Sequence, residues 1–279
     1  MRLLGVGDNV VDRYRDLGLM FPGGNALNVA VAGARAGAEA AYLGAVGSDR
    51  AGEAVLAGLH AEGIDTSRVR VLPGPNAFAD VSLVDGDRVF VGSGVGVSRF
   101  VLNPDDLAWA GTFDLAHTGD SSMLEDQVAE LARVTLVSFD FSVMRDPSYV
   151  EPLLPHVAIA CFSAADLTEE ATLDLLATAV AKGPRLALAT RGAAPAILHD
   201  GRRTWRQAVI PTKVVDTLGA GDFFIGRFLV GIIRGEDSAV ALEAAAQAAA
   251  PICGSNGAFG HGSPLALGSA APSSEALPS

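Results

Sequence analysis

The spacing of apolar and polar residues changes rhythm along the chain, and each change marks an element. Residues 2–7 form a short apolar run ending at Asp8, the pattern of a strand buried on both faces of a parallel sheet. Gly23 and Gly24 then open an Ala-rich helical stretch over 25–36, stopped by Gly37. A strand pattern at 40–46 and a helical one at 51–62, closed by Gly63, continue the alternation and predict a parallel sheet covered by helices. Between about 68 and 100 the period shortens to two. Alternating stretches at 77–84 and 88–92 flank Asp85-Gly86-Asp87, a hairpin signal, so a small β lid is expected, mainly from residues 77–93. Strands at 114–117, 135–140, 157–162 and 185–190 and helices at 123–133 and 168–181 follow, then a hairpin-like 195–208 and helices at 220–234 and 238–250. The expected fold is α/β, a three-layer sandwich around a mostly parallel sheet, in one domain over 1–261. Residues 262–279, rich in Ser, Ala, Pro and Gly, bury too little to offset the entropy of ordering, and a flexible tail is expected there.

Composition narrows the class. Hydrophobic residues make up 49% of the 279 positions and charged ones 19%, enough for a sizeable core. The net charge of -12 repels a phosphate backbone, so nucleic acid is not an expected partner. The chain leads from Arg2 to Asp8 without a signal-peptide core, and the apolar stretch near 239–253 is broken by Glu243, Gln247 and Pro251. No membrane span is expected, and a cytoplasmic location is. The two cysteines, Cys161 and Cys253, lie in apolar stretches and read as buried hydrophobes.

The chemistry-bearing run is Asp216-Thr217-Leu218-Gly219-Ala220-Gly221-Asp222, followed by apolar residues at helical spacing. Gly219 and Gly221 allow a ligand close to the backbone, and a helix starting near Ala220 presents free amides to an anion. Asp222, in its first turn, is a carboxylate beside that anion site. The pairing suits transfer of a phosphoryl group to a hydroxyl, with Asp222 taking the proton. A helix cap is the plainer alternative. Upstream, Asp8 and Asp12 near the end of the first strand suit hydrogen bonds to vicinal sugar hydroxyls, with Gly23, Gly24, Asn25 and Asn28 beside them. The plainer alternative makes Asn25 a cap and Asp8 a turn residue. His60, His117, His156 and His199 show no ligand spacing and read as structural, and Trp109 and Trp205 as packing anchors.

The seven-residue run resembles the D-T-x-G-A-G-D signature of the PfkB, or ribokinase-like, carbohydrate kinases, matching every fixed position. The resemblance covers nearly the whole chain to about residue 260. It implies a ribokinase-like fold and an ATP- and Mg²⁺-dependent sugar kinase responsive to K⁺. Asp222 would be the base, the amides of Gly219, Ala220 and Gly221 the anion hole, and Asp216 part of a monovalent-cation site. It further implies sugar contacts from Asp8, Asp12, Gly23, Gly24, Asn25, Asn28 and Phe90. Nucleotide contacts would come from Thr190, Gly192, Thr217, Gly219 and Gly257, and a homodimer would form through the lid. The sequence departs from the family at Pro195, where a nucleotide-loop glycine is usual. It departs again at Ser163 and Asp166, where Asn and Glu usually organise Mg²⁺ through water; Asp166 keeps a carboxylate for that role. The runs 7–12, 23–31, 87–90 and Phe139-Asp140-Phe141-Ser142 are similar to the fructoselysine 6-kinase branch, which phosphorylates the 6-hydroxyl of fructosamines. A kinase of fructose, ribose or a nucleoside, or a sugar sensor without catalysis, remain the alternatives.

Overall fold

The computed structural model describes residues 1–84 and 87–265, and for 83–84 and 87–90 the backbone alone. The strand Arg2–Val6 forms because both of its faces are covered: Leu3 points into one apolar layer, Leu4 and Val6 into the other. It pairs in parallel with Glu39–Leu43 and with Leu115–Gly119. Across the eight-stranded sheet the order is Thr204–Gln207, Ala194–His199, Leu186–Arg191, Ile159–Ser163, Leu136–Asp140, Leu115–Gly119, Arg2–Val6, Glu39–Leu43. The six strands from Leu186–Arg191 to Glu39–Leu43 are parallel, and the other two close the edge as an antiparallel hairpin.

Helices Asn25–Arg35, Ala220–Ile233 and Ser238–Ala249 cover one face, where Val29, Phe224, Phe228, Leu229 and Leu242 meet Leu3, Leu115, Cys161 and Leu188. On the other face Pro104–Ala110, Glu125–Leu131 and Glu169–Ala181 pack on Leu4, Val137, Phe139 and Phe162. The expected three-layer architecture is present. Its carboxyl edge collects Asp8, Asp120, Asp140, Ser163 and Thr190, each at or just past the end of a parallel strand.

The lid is larger than expected. Its sheet has five strands, in the order Ser263–Pro264, Leu19–Gly23, Val10–Tyr14, Phe78–Val84, Asp87–Gly94. The 10–23 hairpin is hidden in the sequence because Asp12, Arg13, Arg15 and Asp16 interrupt its apolar residues. Part of that charge is matched across strands: Asp80 pairs with Arg13 at 2.7 Å and Arg15 at 2.6 Å, and the Arg13 guanidinium lies 3.4 Å from the Phe78 ring centre. Tyr14, Phe21 and Val81 form the lid's own apolar cluster, against which Leu218 packs.

The end of the domain also differs from the expected 261. Ser263 and Pro264 pair with Met20 and Leu19, because the lid edge offers unpaired backbone groups that they satisfy. Residues 266–279, most of the expected tail, lie outside the described residues. The Pro104–Ala110 helix was also not anticipated. A capping box starts it: Asn103 accepts from the Asp106 amide at 2.9 Å, and Asp106 accepts from the Asn103 amide at 2.9 Å.

Phe228, on the Ala220–Ile233 helix and fully buried against the sheet, sets the scale of the packing. Phe228→Ala is expected to lower unfolding free energy by roughly 3–5 kcal/mol. Val240→Ala, at a side chain 55% exposed, should change it by less than about 0.5 kcal/mol. Urea denaturation of the two variants checks the contrast.

Candidate active site

Two helices begin at the carboxyl edge of the sheet. The first, Asn25–Arg35, follows Gly24, whose φ of 116° and lack of a side chain let the chain turn against Asn9; a Cβ there would lie 2.7 Å from the Asn9 Cα. No side chain of its own caps this helix. Asp8, from the neighbouring strand end, does so: its carboxylate accepts from the amides of Asn25 at 2.7 Å and Ala26 at 3.1 Å, and from the Ser122 hydroxyl at 3.0 Å. Neither plain alternative is therefore realised as expected, since Asn25 is not the cap and Asp8 is more than a turn residue. Its oxygens are committed largely to the helix.

The second helix, Ala220–Ile233, starts after Gly219 in the left-handed region at φ 77°, where a Cβ would lie 2.4 Å from that of Ala258. Asp222 sits in its first turn, and first-turn amides have no acceptor within a helix. A Cβ on Gly221 would meet only the Thr190 hydroxyl, at 3.9 Å. The end of the Leu186–Arg191 strand thus faces the start of this helix across a small gap.

Side chains of the two helices meet at Asp222. Asn28 Nδ2 donates to one of its oxygens at 2.7 Å and Asn25 Nδ2 to the other at 2.8 Å. Asn25 Nδ2 also donates to Asp140 at 2.9 Å, joining the two carboxyls through one amide. Burial pushes the Asp222 carboxyl up to about 6, the two asparagines acting against the rise and Asp8 and Asp120 adding to it. Burial pushes Asp140 up to about 8, opposed by the Ser142 amide and helped by the charges of Asp222 and Asp120. Asp8 and Asp120 are raised as well, in both cases chiefly by burial. Such a site can take up a proton near neutral pH and hold an anion at the adjoining helix start.

Of the other expected residues, Asp12 is buried against Gly23, where a Cβ would lie 2.5 Å from its Oδ2. Phe90 stands opposite Val81 in the lid, and its side chain lies outside the described residues. The Asp216 carboxylate accepts from the Tyr14 hydroxyl, from the Leu218 amide at 3.0 Å and from the Gly257 amide at 3.3 Å, tying the glycine loop to the lid. The Thr217 carbonyl accepts from the Ala220 amide at 3.2 Å. Gly192 turns the nucleotide-side loop at φ 60°. Asp166 departs from its expected part: exposed, it forms a two-pronged pair with Arg145 at 2.7 and 2.8 Å, and Arg145 also donates to the Ser163 carbonyl. That guanidinium neutralises the charge a hydrated Mg²⁺ would need there. Asp120, Ser122 and Tyr14 had no part in the sequence reading of the site, and Asp140 entered it only within a branch motif. Asp120 and Asp140 carried one usable signal, their place at the carboxyl ends of parallel strands.

Comparison with known proteins identifies the family. The pfkB family carbohydrate kinase model matches residues 17–263. The chain is 41% identical over 272 residues to the fructosamine kinase FrlD of Bacillus subtilis, covering 96% of each. To the fructoselysine 6-kinase of Escherichia coli it is 39% identical over 228 residues, 81% of this chain and 87% of that one. Among solved structures, Arabidopsis thaliana ribokinase complexed with ribose and ATP superposes with a TM-score of 0.77 at 21% identity, over 92% and 94% of the two chains. The fold is ribokinase-like, and the chain belongs to the pfkB family of ATP-dependent carbohydrate kinases.

Proposed function

We propose that this kinase transfers the γ-phosphoryl group of ATP to the 6-hydroxyl of a fructosamine such as fructoselysine, in the cytoplasm, with Asp222 as general base. The observation that carries the reading is Asp222 itself, a half-buried carboxyl in the first turn of a helix, its pKa pushed up to about 6 and its hydrogen bonds among the described residues coming from the neutral amides of Asn25 and Asn28. Asp222 takes the proton of the attacking hydroxyl as its oxygen bonds to phosphorus and the bond to the ADP oxygen breaks. The proton then leaves to solvent. Amides of Gly219, Ala220 and Gly221 hold the equatorial phosphoryl oxygens, that of Ala220 exchanging the Thr217 carbonyl for them, the kind of donor whose loss costs about 3–4 kcal/mol of transition-state stabilisation. Asn28 Oδ1, buried without a protein partner among the described residues, is an acceptor for a sugar hydroxyl. Thr190, Gly192, Thr217 and Gly257 line the nucleotide side.

Mg²⁺, when bound, neutralises charge on the transferring phosphates. Asp166 is paired with Arg145, so the ion would be held mainly by the nucleotide phosphates and water. A monovalent cation beside the Asp216 loop completes the reading. The fructosamine assignment is supported by the two relatives that act on such compounds and by a site whose hydrogen-bond partners for Asp8, Asp140 and Asp222 are all neutral. Nothing there repels a protonated amine on the sugar.

Asp222→Asn should fold normally and lose roughly 10²–10⁴-fold in kcat. In the wild type kcat/KM should fall about tenfold per pH unit below pH 6, because a base with a raised pKa works only above it. Near-wild-type turnover by the variant would remove Asp222 from the role. For the substrate, kcat/KM on fructoselysine should exceed that on fructose, ribose and adenosine. Ribose or adenosine ahead by tenfold, about 1.4 kcal/mol, would refute the fructosamine assignment and leave the kinase assignment intact. Replacing K⁺ by tetramethylammonium should lower kcat/KM, and an unchanged value would take the monovalent cation out of the proposal.

A further inference from the structure

Asn25 can serve Asp222 only in one of its two amide orientations, and the structure contains a device that selects it. The Nδ2 end lies between two carboxyl oxygens, those of Asp140 at 2.9 Å and Asp222 at 2.8 Å. The Oδ1 end lies 3.1 Å from Nε2 of His117, on the strand Leu115–Gly119. The other ring nitrogen, Nδ1, lies 3.2 Å from the Ser138 hydroxyl, on the neighbouring strand Leu136–Asp140. Ser138 in turn lies 3.8 Å from the Cys161 thiol on the next strand. His117 and Ser138 are fully buried, and burial holds the imidazole neutral, its pKa pushed down to about 3. A neutral imidazole has one donor and one acceptor. A Ser138 hydroxyl that donates to Nδ1 leaves the proton on Nε2, where it can bond only to Oδ1 of Asn25. The amide hydrogens are then turned to the carboxyls.

We propose that His117, held as its Nε2–H tautomer by Ser138, is a positioning residue that fixes the Asn25 amide and so keeps Asp222 competent as a base. Flipped, the same amide would place its oxygen against Asp140 and Asp222. That orientation withdraws a hydrogen bond that lowers the pKa of Asp222 and adds a repulsive dipole. Asp8 and Asp120 add negative charge that raises Asp222 further, and Asn28 alone would remain as its amide donor. The acid limb of the pH profile would then move upward, toward the range where the enzyme works.

The test compares His117→Leu, which removes the donor, with His117→Gln, whose side-chain N–H can reach Asn25 Oδ1. The Leu variant should shift the acid limb of kcat/KM upward by about one pH unit, a loss of about fivefold at pH 6 that approaches about tenfold well below it. Sugar KM should stay within about twofold of wild type. The Gln variant should return the limb toward the wild-type position. A limb unmoved in His117→Leu, or moved equally in both variants, would overturn the proposal. A second readout needs no variant: ¹⁵N NMR of the wild-type ring should show a pyrrole-type Nε2 and a pyridine-type Nδ1 that do not titrate between pH 5 and 9. The opposite tautomer, or a titrating ring, would overturn the proposal even if neither variant folds. The pH readout rests on Asp222 being the base and the NMR readout does not. An Nε2–H ring in an enzyme without an acid limb would retire the base assignment alone.

Discussion

Two helix beginnings are brought together in this protein, and the candidate site depends on that contact. Helices Asn25–Arg35 and Ala220–Ile233 approach closely where Gly226 faces Ala32 and Val29; a Cβ on Gly226 would lie 2.5 Å from that of Ala32 and 2.9 Å from the Val29 carbonyl oxygen. Their positive ends share one pocket, and carboxylates are the groups such ends attract. Asp8 caps the first helix from outside it, and Asp222 belongs to the second. Asn25 and Asn28 bridge from one helix to the other. Catalytic geometry and helix packing are therefore one problem with one solution.

The electrostatics follow from the choice of neutral partners. Asp8 and Asp140 are buried and Asp222 is partly so, and each is held by amides or a hydroxyl rather than by Lys or Arg. An arginine in the same place would satisfy a carboxyl more strongly and would also hold its pKa low, making it a poor base. Ion pairs are instead kept in the lid, where Arg13 and Arg15 share Asp80, and on the surface, where Arg145 takes Asp166. The segregation keeps the pocket ready to exchange a proton while the frame around it stays fixed.

Local features were legible in the sequence and non-local ones were not. The strand and helix alternation needs only a window of a dozen residues, and the run 216–222 carries the family's signature within seven. Both were read with boundaries close to those observed. His117 read as a structural histidine because its partners, Ser138 and Asn25, are 21 and 92 residues away, and a single buried ring gives no spacing to detect. Asp140 reaches Asn25 across 115 residues. The 10–23 hairpin was masked by charges whose cross-strand partner, Asp80, lies more than sixty residues on. Asp8 was expected to face sugar hydroxyls, and nothing local says that it also caps a helix it does not belong to.

The lid carries a consequence for the life of the chain. Its first strands come from residues 10–23 and its last from Ser263–Pro264, which pair with Leu19 and Met20. A ribosome making this protein will have extruded nearly every other element before that edge can close. The lid sheet is thus begun soon after the first strand and completed last among the described elements, and a nascent chain arrested before residue 263 would carry Asp222 and its amide partners with a lid still lacking its outermost strand.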